Sequence, residues 1–248
     1  MELRIVHLYA DLMNIYGDRG NVIVMQRRAQ WRGIDVSVSA VGLGQTLDWQ
    51  AYDLIFVGGG QDRQQALMAA DLRQTKADAL AAALADDRVI LAVCGGYQLL
   101  GRFYRGADGS ELAGLGLFDL HTIHPGGADA RCIGNVLVRC DWDEHQRTLV
   151  GFENHGGRTY LGPGCAPLGR LVIGHGNNGS DGQEGGRVRN AYGTYLHGSL
   201  LPKNPWFADH LIMLALQRRY GTATTLPPLD DSLEGAAHEA MERRLRRR

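Results

Sequence analysis

Several absences narrow this sequence before any motif is read. No stretch approaches the roughly 18 apolar residues that a membrane-spanning helix needs. The opening MELRIVHLYADLMNIYG carries charges at Glu2 and Arg4, so neither a signal peptide nor a span is expected there, and the cytoplasm is the expected location. Net charge is nearly absent: 26 Lys and Arg face 27 Asp and Glu, a formal −1 that gives the chain as a whole no electrostatic reason to bind nucleic acid. Cysteines are few. Cys94, Cys132, Cys140 and Cys165 stand far apart with no CxxC pair, so neither a disulfide framework nor a zinc site is expected. Internal repeats, low-complexity tracts and linkers are also missing.

What is abundant is glycine: 34 in 248 residues, nearly twice the typical ~7%. Many glycines come in pairs and triplets at the ends of strand-like runs, where backbone must turn sharply or approach something closely. The runs themselves are regular at first. LRIVHLYA (3–10) predicts a buried strand, 20–32 a helix, DVSVSAV (35–41) a strand, and YDLIFVGGG (52–60) a strand ending in three glycines. Residues 62–87 have helical composition throughout, RVILAVC (88–94) is another buried strand, and QLLGRF returns to helix. This alternation is the pattern of an α/β protein with a mostly parallel central sheet covered on both faces.

Beyond about residue 115 the runs shorten. LFDLHT (117–122), NVLVRC (135–140), VGFEN (150–154), RLVIGHG (170–176) and NAYGTYLHG (190–198) suggest an antiparallel extension of the same sheet. GHGNNGSDGQEGGRVRN (174–190) reads as an exposed loop or hairpin tip. PWFADHLIMLALQRRY (205–220) is a helix with Pro in its first turn, and a last helix follows LPP, with Glu239–Arg243 and Glu242–Arg246 at i,i+4. Its Arg-rich end reads as a solvated helix terminus rather than a nucleic-acid site. The expected organisation is one domain over 1–222 and a helical extension over 223–248.

VILAVCGGYQLLG (89–101) carries the chemistry. A buried strand stops at Cys94, and two glycines let the chain enter a helix within two or three residues. Such a turn lifts its side chain above the carboxyl edge of a parallel sheet, where ligands bind in open α/β folds. The positive end of a helix dipole favours a thiolate, and the following N–H can face an oxyanion. The plainer reading, a buried small apolar residue, would fit a cysteine without this glycine pair. A thiolate nucleophile needs a histidine base. Of nine histidines, His7 lies in a strand, and His145, His210 and His238 read as surface or packing positions. His121, His124 and His175 sit in or near turns, while His155 (FENHGG) and His197 (GTYLHGS) both leave a strand beside glycine. Spacing does not choose between those two. FVGGGQDR (56–63) can offer N–H groups to an anion, but it is neither GxGxxG nor a P-loop.

Together VCGGYQLLG, GFENHGG (151–157), YGTYLHG (192–198) and IFVGGGQDRQQ (55–65) resemble the class I, triad-type glutamine amidotransferases, above all the cobyric acid synthase branch. YGDRGN (16–21), GLGLFDL (114–120) and GTYLHGSLLPKN (193–204) narrow this to the small glutaminase subunits of lipid II isoglutaminyl synthases. The resemblance runs to about residue 220. It implies a three-layer, flavodoxin-like fold with Cys94 as nucleophile, His197 as general base and acid, and an oxyanion hole at Gly60 and Gly95. It also implies Arg131 as the residue that holds the L-glutamine substrate; a guanidinium fork suits an α-carboxylate. The partner implied is a MurT-like, ATP-dependent ligase subunit that handles lipid II, with ATP and Mg in that subunit and no cofactor or metal in this chain. Where many class I glutaminases have a glutamate two residues after the histidine, this sequence has Ser199. Glu153 and Asp18 could orient the imidazole instead, though they read more simply as a structural hydrogen bond and a turn cap. Rival readings are a glutaminase for another synthetase of cobyric acid type, a non-catalytic scaffold subunit, and a cysteine hydrolase with the same elbow.

Overall fold

A computed structural model describes the chain apart from residues 15–16, 61, 128–130, 143, 198–199 and 248, with only the backbone described at 62–64. In chain order, β1 (Glu2–Leu8) is followed by α1 (Arg19–Gln30), β2 (Asp35–Val41), β3 (Leu54–Val57), α2 (Asp62–Asp71), a π-helical turn (Leu72–Lys76), α3 (Ala77–Ala85), β4 (Val89–Val93) and the short α4 (Gly95–Leu99). Then come β5 (Phe103–Arg105), β6 (Glu111–Ala113), β7 (Leu120–Ile123), β8 (Cys132–Arg139), β9 (Thr148–His155) and β10 (Arg158–Leu161). The chain ends with β11 (Gly169–Ile173), β12 (Gln183–Glu184), β13 (Gly186–Val188), β14 (Ala191–Thr194), α5 (Leu200–Lys203), α6 (Pro205–Tyr220) and α7 (Ser232–Arg246).

The central sheet runs β13-β14-β4-β3-β1-β2, parallel from β14 to β2. LIFV of β3 and VILAV of β4 are buried at every position, as continuous apolar strands between two covering layers must be. Among the described residues, only β13 extends this sheet in antiparallel fashion. The other short strands form two further four-stranded sheets, β10-β7-β5-β6 and β12-β11-β8-β9, rather than the single extension expected. One of the crossings between them falls at Gly156 and Gly157, which separate β9 in one sheet from β10 in the other.

Two local departures have physical causes. The helical stretch 62–87 is interrupted by the π-helical turn at Leu72–Lys76. An i to i+5 register brings Lys76 beside Asp71, where the buried ammonium pairs with the carboxylate that also accepts from Tyr9 Oη at 2.6 Å. The glycine-rich segment 174–190 is not an exposed tip. Asn177 and Glu184 are fully buried, because Asn177 Nδ2 donates to the Gly185 carbonyl at 2.9 Å and Glu153 accepts from the N–H of His175 and Gly176 at 2.7 and 2.8 Å. Its turns at 174–175 and 179–182, and Arg189 near its end, face solvent.

α6 matches its sequence pattern, with Pro in its first turn and Leu211, Ile212, Ala215 and Leu216 buried. Both i,i+4 pairs of α7 form, at 3.1 Å (Glu239–Arg243) and 2.7 Å (Glu242–Arg246). α7 is anchored by Leu245, which packs with Leu137 of β8 and Val150 of β9. No described helix is long and apolar enough to cross a membrane.

Candidate active site

Cys94 occupies the joint between β4 and α4 with φ +48° and ψ −105°, a conformation that side chains rarely adopt. The surroundings over-determine it. Its N–H donates to the Thr194 carbonyl at 2.8 Å, its carbonyl accepts from Gln98 N at 2.9 Å, and Gly96 N donates to the Gly58 carbonyl at 3.1 Å. The glycine pair is required by close approach. A Cβ on Gly96 would stand 2.8 Å from the Gly58 oxygen, and one on Gly95 would stand 2.5 Å from Gln65 Nε2 and 3.0 Å from Gly60 N. The turn after β3 and the turn after β4 are therefore pressed together, which puts the backbone of Gly60 and Gly95, the two expected oxyanion donors, side by side.

β14 lies parallel to β4 with Thr194 beside Val93. Cys94, one residue past β4, and His197, three residues past β14, thus leave the same sheet edge. His197 is fully buried, and its N–H donates to the Phe152 carbonyl at 2.7 Å. Burial disfavours an imidazolium there, but the facing sulfur of Cys94 and the carboxylate of Asp18 outweigh it and push the imidazole up to about 10. His197 and Cys94 are therefore an interacting pair in which a proton on the ring and a charge on the sulfur favour each other.

Asp18 brings a buried carboxylate to the imidazole from a distant part of the chain. It stands at the N-cap of α1 yet makes no side-chain capping bond, contrary to the simpler expectation of a turn cap. Its Oδ2 accepts from Gly59 N at 2.7 Å and its Oδ1 lies 3.4 Å from His197 Nδ1, with the side chain fully buried. One carboxylate thus ties the glycine turn after β3 to the imidazole. Ser199 lies outside the described residues. Glu153 is the structural hydrogen bond that its plainer reading expected, holding the turn at 175–176.

His155 is not placed as a base. Its ring stacks on Tyr195 with centroids 3.7 Å apart, its Nδ1 is 2.8 Å from the Gly157 carbonyl, and burial lowers its pKa. Arg131 is exposed immediately before β8; its Nε and Nη2 donate to Asn154 Oδ1 at 3.0 and 2.7 Å. Asn154 is two residues along β9 from Phe152, which bridges His197, so the guanidinium is held by the strand that borders the site.

Sequence reading passed over the buried polar chain beneath the elbow. Gln65 Nε2 donates to Gln98 Oε1 at 3.0 Å, and Gln98 Nε2 donates to Tyr195 Oη at 2.9 Å. Tyr195 Oη meets Thr159 Oγ1 at 2.6 Å, which meets Thr122 Oγ1 at 2.7 Å. A visible signal was Gln98 itself, a lone polar side chain in the apolar run one helical turn after Cys94.

Residues 4–205 match the family of CobB/CobQ-like glutamine amidotransferase domains. The chain is 40% identical over 233 residues to the Streptococcus pneumoniae protein named lipid II isoglutaminyl synthase (glutamine-hydrolyzing) subunit GatD, covering 94% of this chain and 87% of that one. It is 41% identical over 218 residues to the Staphylococcus aureus protein of the same name, covering 88% and 86%. Among solved structures, PurLQS from Thermotoga maritima shares the fold at a TM-score of 0.56 and 21% identity, over 79% of this chain and 88% of that one.

Proposed function

Because the chain belongs to the family of CobB/CobQ-like glutamine amidotransferase domains, we propose that it is the glutaminase subunit of a lipid II isoglutaminyl synthase, hydrolysing L-glutamine to glutamate and ammonia at Cys94. The observation that carries this reading is the coupled pair of Cys94 and His197, buried at one sheet edge beside two interlocked glycine turns. The likeness to two GatD subunits over most of both lengths supports the choice of complex.

The chemistry follows from the positions. The Cys94 thiolate adds to the carboxamide carbon of glutamine, and the carbonyl electrons move onto oxygen, which faces the backbone N–H groups of Gly95 and Gly60. His197, protonated opposite the thiolate, delivers its proton to the leaving nitrogen, so ammonia departs and a thioester remains. His197 then removes a proton from water, which opens the thioester to glutamate and restores the thiol. Asp18, aimed at Nδ1, fixes the ring so that Nε2 serves the reacting atoms and stabilises its charged form. Arg131 would take the α-carboxylate of glutamine through its planar fork.

Ammonia in neutral water is mostly ammonium and not nucleophilic, so its use requires direct transfer to a second site. We assign that site to a MurT-like ligase subunit in the cytoplasm. With ATP and Mg it would activate the α-carboxyl of D-glutamate in the lipid II stem peptide, to be amidated to isoglutamine.

The test is peptide mapping after exposure to 6-diazo-5-oxo-L-norleucine, a glutamine-shaped electrophile. An adduct confined to Cys94 and blocked by L-glutamine is expected. An unmodified Cys94 both in the purified chain and in a native lysate, where the synthetase is present, overturns the reading.

A further inference from the structure

Glu184 ends β12 inside the glycine-rich segment and is fully buried, yet the mechanism above gives it no part. Its Oε1 accepts from Thr194 Oγ1 at 2.5 Å and from Tyr195 N at 3.0 Å. Thr194 Oγ1, having donated that proton, accepts from Leu196 N at 3.0 Å. One carboxylate oxygen therefore gathers the three residues that lead directly into His197. This is where regular pairing ends: β14 stops at Thr194, and 195 and 196 have no strand partner. The same contact sets Tyr195, whose hydroxyl receives Gln98 Nε2 from the helix that starts behind Cys94. A shift of the 194–196 turn would move the base and disturb the elbow helix together.

We propose that Glu184 is a positioning residue for His197, holding the Thr194–Leu196 turn so that the imidazole meets Cys94 and Asp18. The proposal rests on the glutaminase reading and assigns this role to a residue whose segment looked like an exposed tip in the sequence. Burying a carboxyl here carries a desolvation cost that its hydrogen bonds to the turn offset. Burial raises its pKa to about 7, against the lowering effect of the Thr194 and Tyr195 bonds. Glu153 and the hydroxyl of Tyr97 also face it, while Arg187 lays its guanidinium over the Trp142 ring at 5.5 Å instead. Both forms accept at Oε1, and the ionised form accepts more strongly, so the turn tightens as pH rises through about 7.

Glu184→Ala and Glu184→Gln are compared with wild type for glutamate release across pH, using the full chain alone and with its co-purified synthetase. Displacing the base should lower kcat by about 10- to 100-fold in Glu184→Ala with KM for glutamine within about threefold. Glu184→Gln keeps the acceptor oxygen, so it should restore kcat to within about threefold at neutral pH while losing the rise near pH 7. If Glu184→Ala does not fold, Thr194→Val breaks the same link from the other side and should lower kcat by about 10-fold without raising KM. A wild-type kcat in Glu184→Ala or Thr194→Val, a loss lying wholly in KM, or a Glu184→Gln as damaged as Glu184→Ala overturns the proposal. A wild-type chain that releases no glutamate and takes no diazo-ketone label at Cys94 defeats the glutaminase reading itself, and this role with it. An active wild type with indifferent variants defeats only the role of Glu184.

Discussion

Two aspartates, both with fully buried side chains, stand at opposite ends of the central sheet and do different work. Asp53 precedes β3 at the amino end. It accepts from Arg4 N, Nε and Nη2 at 2.9, 3.2 and 2.9 Å and from Arg219 Nη1 at 3.0 Å, with Arg88 Nη1 at 3.6 Å. Burial would raise its pKa, but these guanidinium groups, Arg4 foremost, hold it below the usual carboxylate range. Asp18, at the carboxyl end, has one backbone N–H and one imidazole. Partners that never titrate make Asp53 a fixed anchor between β1, β3 and α6. A partner that gains and loses a proton makes Asp18 useful for chemistry. The difference lies in the partner and not in the burial, which is equal.

Exchanging each acid for its amide separates the two roles most sharply. Asp18→Asn retains an acceptor for Gly59 N but removes the charge behind the imidazole. Glutamate release should fall by on the order of 10²-fold or more, with the urea midpoint little changed. Asp53→Asn should do the reverse. It leaves arginines facing a neutral group and should cost about 3–5 kcal/mol of stability, with the folded fraction turning over glutamine normally. Equal effects of the two substitutions on activity would erase the distinction.

A smaller effect is expected from Gly95→Ala, because the added methyl meets the flexible end of Gln65 as well as the backbone of Gly60. Overpacking of this kind costs about 1–3 kcal/mol. Here the damage should show first as slower labelling of Cys94 by the diazo-ketone, since the two turns must part. A labelling rate equal to wild type would mean that the oxyanion backbone does not depend on their contact.

The pH responses are subtler and run in opposite directions. Asp53 has a lowered folded pKa, so its stabilisation is present above the unfolded carboxylate value and is lost as pH falls through the folded one. Acid unfolding should therefore begin at higher pH in wild type relative to its own neutral stability than in Asp53→Asn. His197 has a raised folded pKa, so its favourable charged form is present at neutral pH and is lost only as pH rises through about 10. Imidazole NMR should show no titration of His197 between pH 6 and 8. In Cys94→Ala, without the sulfur that raises it, the titration should move toward neutral. A His197 that titrates near 6.5 in wild type would break the pairing on which the mechanism depends.

The sequence by itself determined the α/β alternation, the buried strands 54–57 and 89–93, the helix at 205–220 and the elbow at Cys94. Each is written in neighbouring residues: apolar run length, helical spacing, and a glycine pair directly after a strand. Choosing His197 over His155 needed the likeness of GTYLHG to a family motif, since both histidines have the same local surroundings. Only the tertiary structure decided which acid lies against the imidazole, because Asp18 and His197 are 179 positions apart. They meet because of the strand order β14-β4-β3-β1, which no local pattern encodes. It also decided that Glu184 is buried. Glycine and polar residues read as a surface turn whenever their hydrogen-bond partners are distant from them in the pattern, and here those partners are Thr194 and Tyr195.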